Sequence, residues 1–285
     1  MFKNDLEYYY DLNNPREEFE KIPLKIIFLF EKLNLKKNIV LGFDTRKSSK
    51  HYAEQFSKSN LPKLEINFIN KYCSYPEFGF VMKELNSGLG LYFTGGDNTA
   101  DFCGLKIFLS NEIEKNKFID DLNKVEIKEF TENQSIVNEI NLSEKYYLYL
   151  KNSINLELFN NYSKNILNNT GIIIDSFGGT ATTIIEDILN PLGFRAQSIF
   201  CVPDEKFYSR TPKINLIETE SLKYNVKSTE SLIGVIFNTD ASNLAIVKDD
   251  GNLFSKKEIE EKYKIVEEDN FIFTLKFIET LISQK

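Results

Sequence analysis

The sequence has one histidine, three cysteines, no long apolar run and no excess of basic charge, and each shortage removes a class of function. His51 lies between Ser48-Ser49-Lys50 and Tyr52-Ala53 on an expected helix, with no second histidine or cysteine beside it. It reads as a helix-surface residue rather than a ligand or base. Cys73, Cys103 and Cys201 stand far apart without metal spacing, so they read as reduced, mainly buried thiols of a cytosolic protein. The apolar run Ile26–Phe30 is far short of the ~20 residues that span a bilayer. Met1-Phe2-Lys3-Asn4-Asp5 carries no apolar signal core. A cytoplasmic location with no membrane partner is therefore expected. Net charge is −7, and the basic residues are scattered with no Arg/Lys stripe among stacking aromatics, so no nucleic-acid partner is expected.

With 285 residues and 42% hydrophobic content, the chain can bury two ordinary cores. Its 24 phenylalanines and 14 tyrosines stand mostly in apolar alternation or helix stripes, where they read as core. Near the start, Pro15 followed by Arg16-Glu17-Glu18 marks a helix start. Phe19, Ile22, Ile26, Phe30 and Leu33 keep helical spacing, and Pro23 is expected to kink or restart that helix. Tyr146, Leu150, Ile154 and Leu158 recur every four residues, which predicts one connecting helix from Glu144 to Phe159. After Gly251 the pattern is helical over Ser255–Lys264 and again over Phe271–Ile282.

Four segments carry the functional argument. Val40-Leu41-Gly42-Phe43-Asp44-Thr45-Arg46-Lys47-Ser48-Ser49 is an apolar strand that runs into a polar turn, with serines placed to cap a helix. Arg46 offers fork-shaped donors to an oxyanion, or else a local ion pair with Asp44. Leu89-Gly90-Leu91-Tyr92-Phe93 ends abruptly at Thr94-Gly95-Gly96-Asp97-Asn98-Thr99, and Cys103-Gly104-Leu105-Lys106-Ile107-Phe108 follows. A buried strand that breaks at a glycine turn is a common way to place chemistry at a sheet edge. Gly171-Ile172-Ile173-Ile174-Asp175-Ser176-Phe177-Gly178-Gly179-Thr180 reads as a strand, a tight turn and a helix through Ile184 and Ile188. The glycine pair lacks the lysine of a P-loop and the spacing of a dinucleotide site. Asn238-Thr239-Asp240-Ala241-Ser242-Asn243 precedes the apolar strand Leu244–Val247 and the turn Asp249–Gly251.

In order and spacing these segments resemble the alpha-D-phosphohexomutases, the phosphoglucomutase and phosphomannomutase family. The family's G-x-D-x-R-x-S signature is met by Gly42, Asp44, Arg46 and Ser48. Its serine loop, T-A-S-H-N-P then N-G-x-K, is met by Thr94, Asn98, Gly104 and Lys106. Its metal loop, D-G-D-A-D-R, is met by Asp240 and Ala241. The departures fall on the chemistry. Gly96 stands where the family has its phosphorylated serine, and glycine has no oxygen to carry a phosphoryl group. Asn238 and Ser242 replace two of the three carboxylates that suit Mg²⁺.

The resemblance implies an α/β fold of two three-layer α/β/α domains with mixed, largely parallel sheets. Residues 1–145 would form domain I with a degenerate serine loop, 146–255 domain II with a degenerate metal loop, and 256–285 a helical extension. The family's sugar-selecting and phosphate-holding domains have no counterpart here, so a truncated homologue is expected. No catalytic residue follows; Asp97, which could in principle carry an acyl phosphate, is the weak candidate. Arg46, Gly95, Gly96, Asn98 and Lys106 are the expected ligand-binding residues for phosphate or a sugar phosphate. No cofactor is expected, with Mg²⁺ weak or absent at Asn238, Asp240 and Ser242. The implied function is that of a catalytically inactive binding, regulatory or interaction protein, with a second copy or another protein as partner. The alternative is a phosphoglucomutase/phosphomannomutase-related enzyme subunit completed by a separate chain.

Overall fold

A computed structural model describes residues 6–11, 17–32, 38–58, 64–109, 120–122, 124–125 and 135–284. It divides into two compact units: residues 1–95 with 99–141, and residues 142–285 together with the three-residue segment Gly96–Asn98. The start signal at Pro15 and Arg16 lies outside the described residues.

The first unit contains β1 (Leu6–Asp11), α1 (Glu17–Lys32), β2 (Asn38–Phe43), α2 (Lys47–Ser57), β3 (Glu65–Ile69), α3 (Tyr75–Glu84), β4 (Leu89–Phe93), β5 (Phe102–Leu109) and β6 (Ile136–Ile140). They form a six-stranded sheet in the order β1-β5-β4-β2-β3-β6. β2, β3, β4 and β6 run parallel, while β5 is antiparallel to both β4 and β1. Helix α1 runs on through Pro23 as one element, so of the kink or restart expected there the restart does not occur. Burial of Ile26, Ile27 and Leu29 one to two turns on supports its continuation.

Alternation along the strands separates two apolar faces. Ile39, Leu41, Phe43, Leu89, Leu91, Phe93, Leu105 and Ile107 pack with Ala53 and Phe56 of α2 and with Ile26, Ile27 and Leu29 of α1. On the other face lies α3, capped by the Ser74 hydroxyl, which accepts from the Glu77 amide, with Pro76 in its first turn. Gly42 of β2 and Gly90 of β4 lie beneath the Phe78 ring of α3, where an added Cβ would stand 2.5 and 2.9 Å from ring carbons. The missing side chains let the helix seat its aromatic directly on the sheet.

The second unit contains α4 (Ser143–Lys151), α5 (Leu156–Lys164), β7 (Gly171–Asp175), α6 (Ile184–Leu189), β8 (Arg195–Ile199), α7 (Glu220–Ser228), β9 (Ile233–Phe237), β10 (Leu244–Lys248), β11 (Leu253–Ser255), α8 (Lys256–Tyr263) and α9 (Asn270–Ser283). Its sheet order is β11-β10-β9-β7-β8. β7 is parallel to β8 and β9, and β9, β10 and β11 form an antiparallel meander.

The single helix expected over residues 144–159 is two helices. Asn155 caps α5 by accepting from the Leu158 amide, and Asn152 ends α4. The polar stretch Asn152-Ser153 offers side-chain bonds that compete with the helical ladder, and Ser153 donates to the Leu150 carbonyl at 2.6 Å. Ile154 is buried at the break, so the four-residue repeat reports burial rather than a continuous helix.

Helix α7 sets Leu222 and Val226 against Gly234 of β9. On the opposite face Phe237 meets Phe271 of α9, with ring centroids 5.0 Å apart. Helix α9 is buried at Phe271, Ile272, Phe273, Leu275, Phe277, Ile278 and Ile282, nearly all the way round. A helix that is apolar on every side belongs to a core. The segment after Gly251 is thus integral to the second unit, with the Ser255–Glu258 capping box starting α8.

Candidate functional site

In the first unit β2 ends at Phe43, and the Asp44 amide donates to the Phe93 carbonyl at the end of β4 (3.0 Å). Asp44 is 1% exposed and collects three donors. The Arg46 amide reaches Oδ1 at 3.0 Å, the Arg46 guanidinium forms an ion pair with Oδ2, and the Thr94 hydroxyl donates to Oδ2 at 2.8 Å. Arg46 is itself 1% exposed. Gly95 lies against it, and a Cβ there would stand 2.6 Å from Cζ and 2.7 Å from the Phe102 carbonyl oxygen. The local ion pair expected between Arg46 and Asp44 is in place.

Lys106 is 3% exposed, with Nζ 4.6 Å from the centroid of the Tyr75 ring. It projects from β5 on the face of Tyr92 and Phe108, away from Leu105 and Ile107. The thiol of Cys103 faces the Ser49 hydroxyl of α2 (3.8 Å), and burial is the main cause that pushes it up to about 12. Burial likewise raises the Cys73 thiol. Neither is poised as a thiolate nucleophile. His51 is exposed on α2.

In the second unit the loop after β9 is bonded to the segment Gly96–Asn98. The Thr239 hydroxyl donates to the Gly96 carbonyl at 2.9 Å, and the Asn238 Nδ2 donates to Asp97 Oδ1 at 2.7 Å. Gly96 has φ 54°, in the region that favours glycine. Asn98 is half-buried. Within the loop, Asn238 Nδ2 also donates to the Ser242 hydroxyl (3.2 Å). That hydroxyl and the Ser242 amide both donate to Asp240 Oδ1, at 2.6 and 3.0 Å. The Asn243 amide donates to Asn238 Oδ1 at 2.9 Å. Ala241 sits at φ 58°, and its carbonyl accepts from Asn270 Nδ2 at the start of α9 (2.8 Å). Lys256 Nζ in turn donates to Asn270 Oδ1 (3.0 Å).

The Gly178–Gly179 turn has its amides committed. Gly178 donates to the Phe200 carbonyl, Gly179 to Ser176 and Thr180 to Thr239, at 2.7–2.8 Å. A Cβ on Gly179 would stand 2.2 Å from the Thr239 oxygen, so glycine permits the two loops to touch. This is a packing turn.

One cluster escaped the sequence reading. Arg210 donates to both oxygens of Asp175 at 2.9 Å, to the Glu218 carboxylate at 3.2 Å and to the Glu218 carbonyl at 2.6 Å. Its guanidinium lies 3.8 Å from the Phe177 centroid and 4.7 Å from that of Phe200. It holds down the segment after β8, where Phe207, Tyr208 and Ser209 all have positive φ. Its partners lie 35 and 8 residues away with no local pattern to announce them.

Residues 18–133 match the model of the phosphoglucomutase/phosphomannomutase alpha/beta/alpha domain I. The chain is similar to a phosphoglucosamine mutase of Prochlorococcus marinus, at 27% identity over 75% of this chain and 46% of the relative. It is also similar to a phosphomannomutase/phosphoglucomutase of Pseudomonas syringae pv. tomato, at 22% over 62% of this chain and 37% of the relative. Among solved structures, a putative phosphomannomutase from Thermus thermophilus matches with TM-score 0.73 and 16% identity, over 88% of this chain and 57% of that one. The chain spans less than half the length of these curated relatives. The sequence match over residues 18–133 and the shared fold make the chain similar to the alpha-D-phosphohexomutases.

Proposed function

We propose that this chain is a phosphohexomutase homologue that does not carry out phosphoryl transfer and acts by binding another protein. The supporting observation is the fate of the Thr94 hydroxyl, two residues before Gly96. Thr94 is fully buried, and its Oγ1 donates to the carboxylate that also holds Arg46. Such a group has neither the exposure nor the free base that an activated nucleophile needs. The two cations expected to bind an anion are committed too: Arg46 to Asp44, and Lys106 over the Tyr75 ring. An interaction role fits the exposed Leu216, Ile217 and Tyr224 of the second unit better than a sugar-phosphate role fits these buried charges.

The test is incubation of the purified chain with labelled glucose 1,6-bisphosphate and Mg²⁺, followed by denaturing gel analysis. No protein-bound label is expected. Transferable label mapped to Thr94, Asp97 or Thr99 would refute the reading and favour an enzyme subunit completed by a separate chain. Light scattering during size exclusion reads the partner side, because self-association would identify a second copy as that partner.

A further inference from the structure

The fold family implies Mg²⁺ at the loop after β9, and the residues present do not fit it. Mg²⁺ requires near-octahedral oxygen donors and formal negative charge to offset its dehydration. Asp240 is the loop's one carboxylate, and its Oδ1 already accepts two hydrogen bonds from Ser242. The oxygen of Asn238 is taken by the Asn243 amide, which turns Nδ2 toward Asp97 and Ser242. An amide nitrogen donates and cannot ligate a cation.

We propose that the Asn238 side-chain amide holds this loop in place of a cation, so that the loop is closed without metal. Both Nδ2 hydrogens are used, one on Asp97 Oδ1 and one on Ser242 Oγ, and the Ser242 hydroxyl passes its own hydrogen to Asp240 Oδ1. Donors and acceptors therefore alternate from Asp97 to Asp240. Asn238 and Asp240 are 2% and 0% exposed, while Asp97 at the far end is exposed, so the Asn238–Asp240 part of the arrangement sits where unpaired charge is costly. A carboxylate at position 238 would remove both donors and set like charge against Asp97 and Asp240, which only a cation or a proton could relieve. This inference does not depend on whether the protein transfers phosphate.

The test is thermal unfolding of the full chain with EDTA and with Mg²⁺, for the native protein, Asn238→Asp, and the swap Asp97→Asn/Asn238→Asp. The native melting temperature is expected to be the same in both conditions. Asn238→Asp is expected to melt about 5 °C or more lower in EDTA and to recover part of that with millimolar Mg²⁺. The swap restores one donor–acceptor pair with reversed polarity and is expected to regain stability in EDTA, which keeps the test decisive if the single variant does not fold. A native melting temperature that rises with Mg²⁺ and loses that response in Asp240→Asn overturns the proposal. A single variant as stable as the native protein in EDTA, or a swap no better than the single variant, overturns it as well.

Discussion

Replacing Arg210 by alanine should produce one of the larger single-residue losses in the second unit. The substitution leaves Asp175, whose side chain is fully buried, without its bidentate partner, and removes the guanidinium from the faces of Phe177 and Phe200. Breaking a buried pair by deleting one member costs about 3–5 kcal/mol. A desolvated cation–π contact is worth about 2 kcal/mol but shares the same atoms, so the two do not add. We expect about 4 kcal/mol at pH 7.5, or about 10 °C in melting temperature for a unit of roughly 150 residues.

The loss should also depend on pH. Burial already raises the Asp175 carboxyl against the lowering influence of Arg210. Without Arg210 it rises further. An acid whose folded pKa lies above its unfolded value costs nothing below the unfolded pKa, and its stability contribution is lost as pH climbs through the folded one. The deficit of Arg210→Ala should therefore shrink toward pH 4 and be largest at neutral pH. The neutral pair Asp175→Asn/Arg210→Met should lose less than the single variant. Urea unfolding followed by far-ultraviolet circular dichroism between pH 4 and 8 measures all three. A deficit below about 1 kcal/mol, or one equal at both ends of the range, would refute this account of the cluster.

Four further outcomes follow from packing and charge. Gly179→Ala should destabilise by at least about 2 kcal/mol because the Cβ meets the Thr239 backbone at 2.2 Å. Gly79→Ala, inside α3 with nothing within 4 Å, should stabilise by about 0.5–1 kcal/mol, and paired melts show the contrast. Burial raises the carboxyl of Asp269, which caps α9 and accepts from the Tyr146 hydroxyl at 2.7 Å; Asp269→Asn should keep the cap and flatten the decline in stability as pH rises above the ordinary carboxylate range, as read from urea midpoints. Deleting residues 265–285 should unfold the second unit, seen as lost circular dichroism and lost amide dispersion, rather than yield a folded, self-associating protein.

The strands ending at the motif loops were legible because burial on both faces leaves unbroken apolar runs such as Leu89–Phe93 and Gly171–Asp175. The Asp44–Arg46 pair was legible for a different reason, since two residues of separation suffice to form it. What stayed hidden depends on distant partners. Nothing near Asp175 announces Arg210, and nothing near Ala241 announces that Asn270 holds its carbonyl. The break between α4 and α5 was missed because buried Ile154 keeps a helical repeat across residues that cap and end helices. Counting the carboxylates of the loop after β9 showed which had gone. It did not show that Asn238 would donate where they had accepted.

The burial of α9 on nearly every side bears on how the chain is made. Phe237 of β9 leaves the ribosome on the order of 35 residues before α9, the last described element of its unit, which at about 5–20 residues per second is roughly 2–7 s of synthesis. During that interval Phe237 lacks the Phe271 ring that meets it in the finished unit. The second unit therefore completes its core only after α9 has emerged, while the first unit's sheet needs nothing encoded beyond β6. A chaperone that recognises bare apolar strands would find its substrate in that interval, and ribosome-bound chains stalled before residue 270 should be more sensitive to protease in the second unit than in the first.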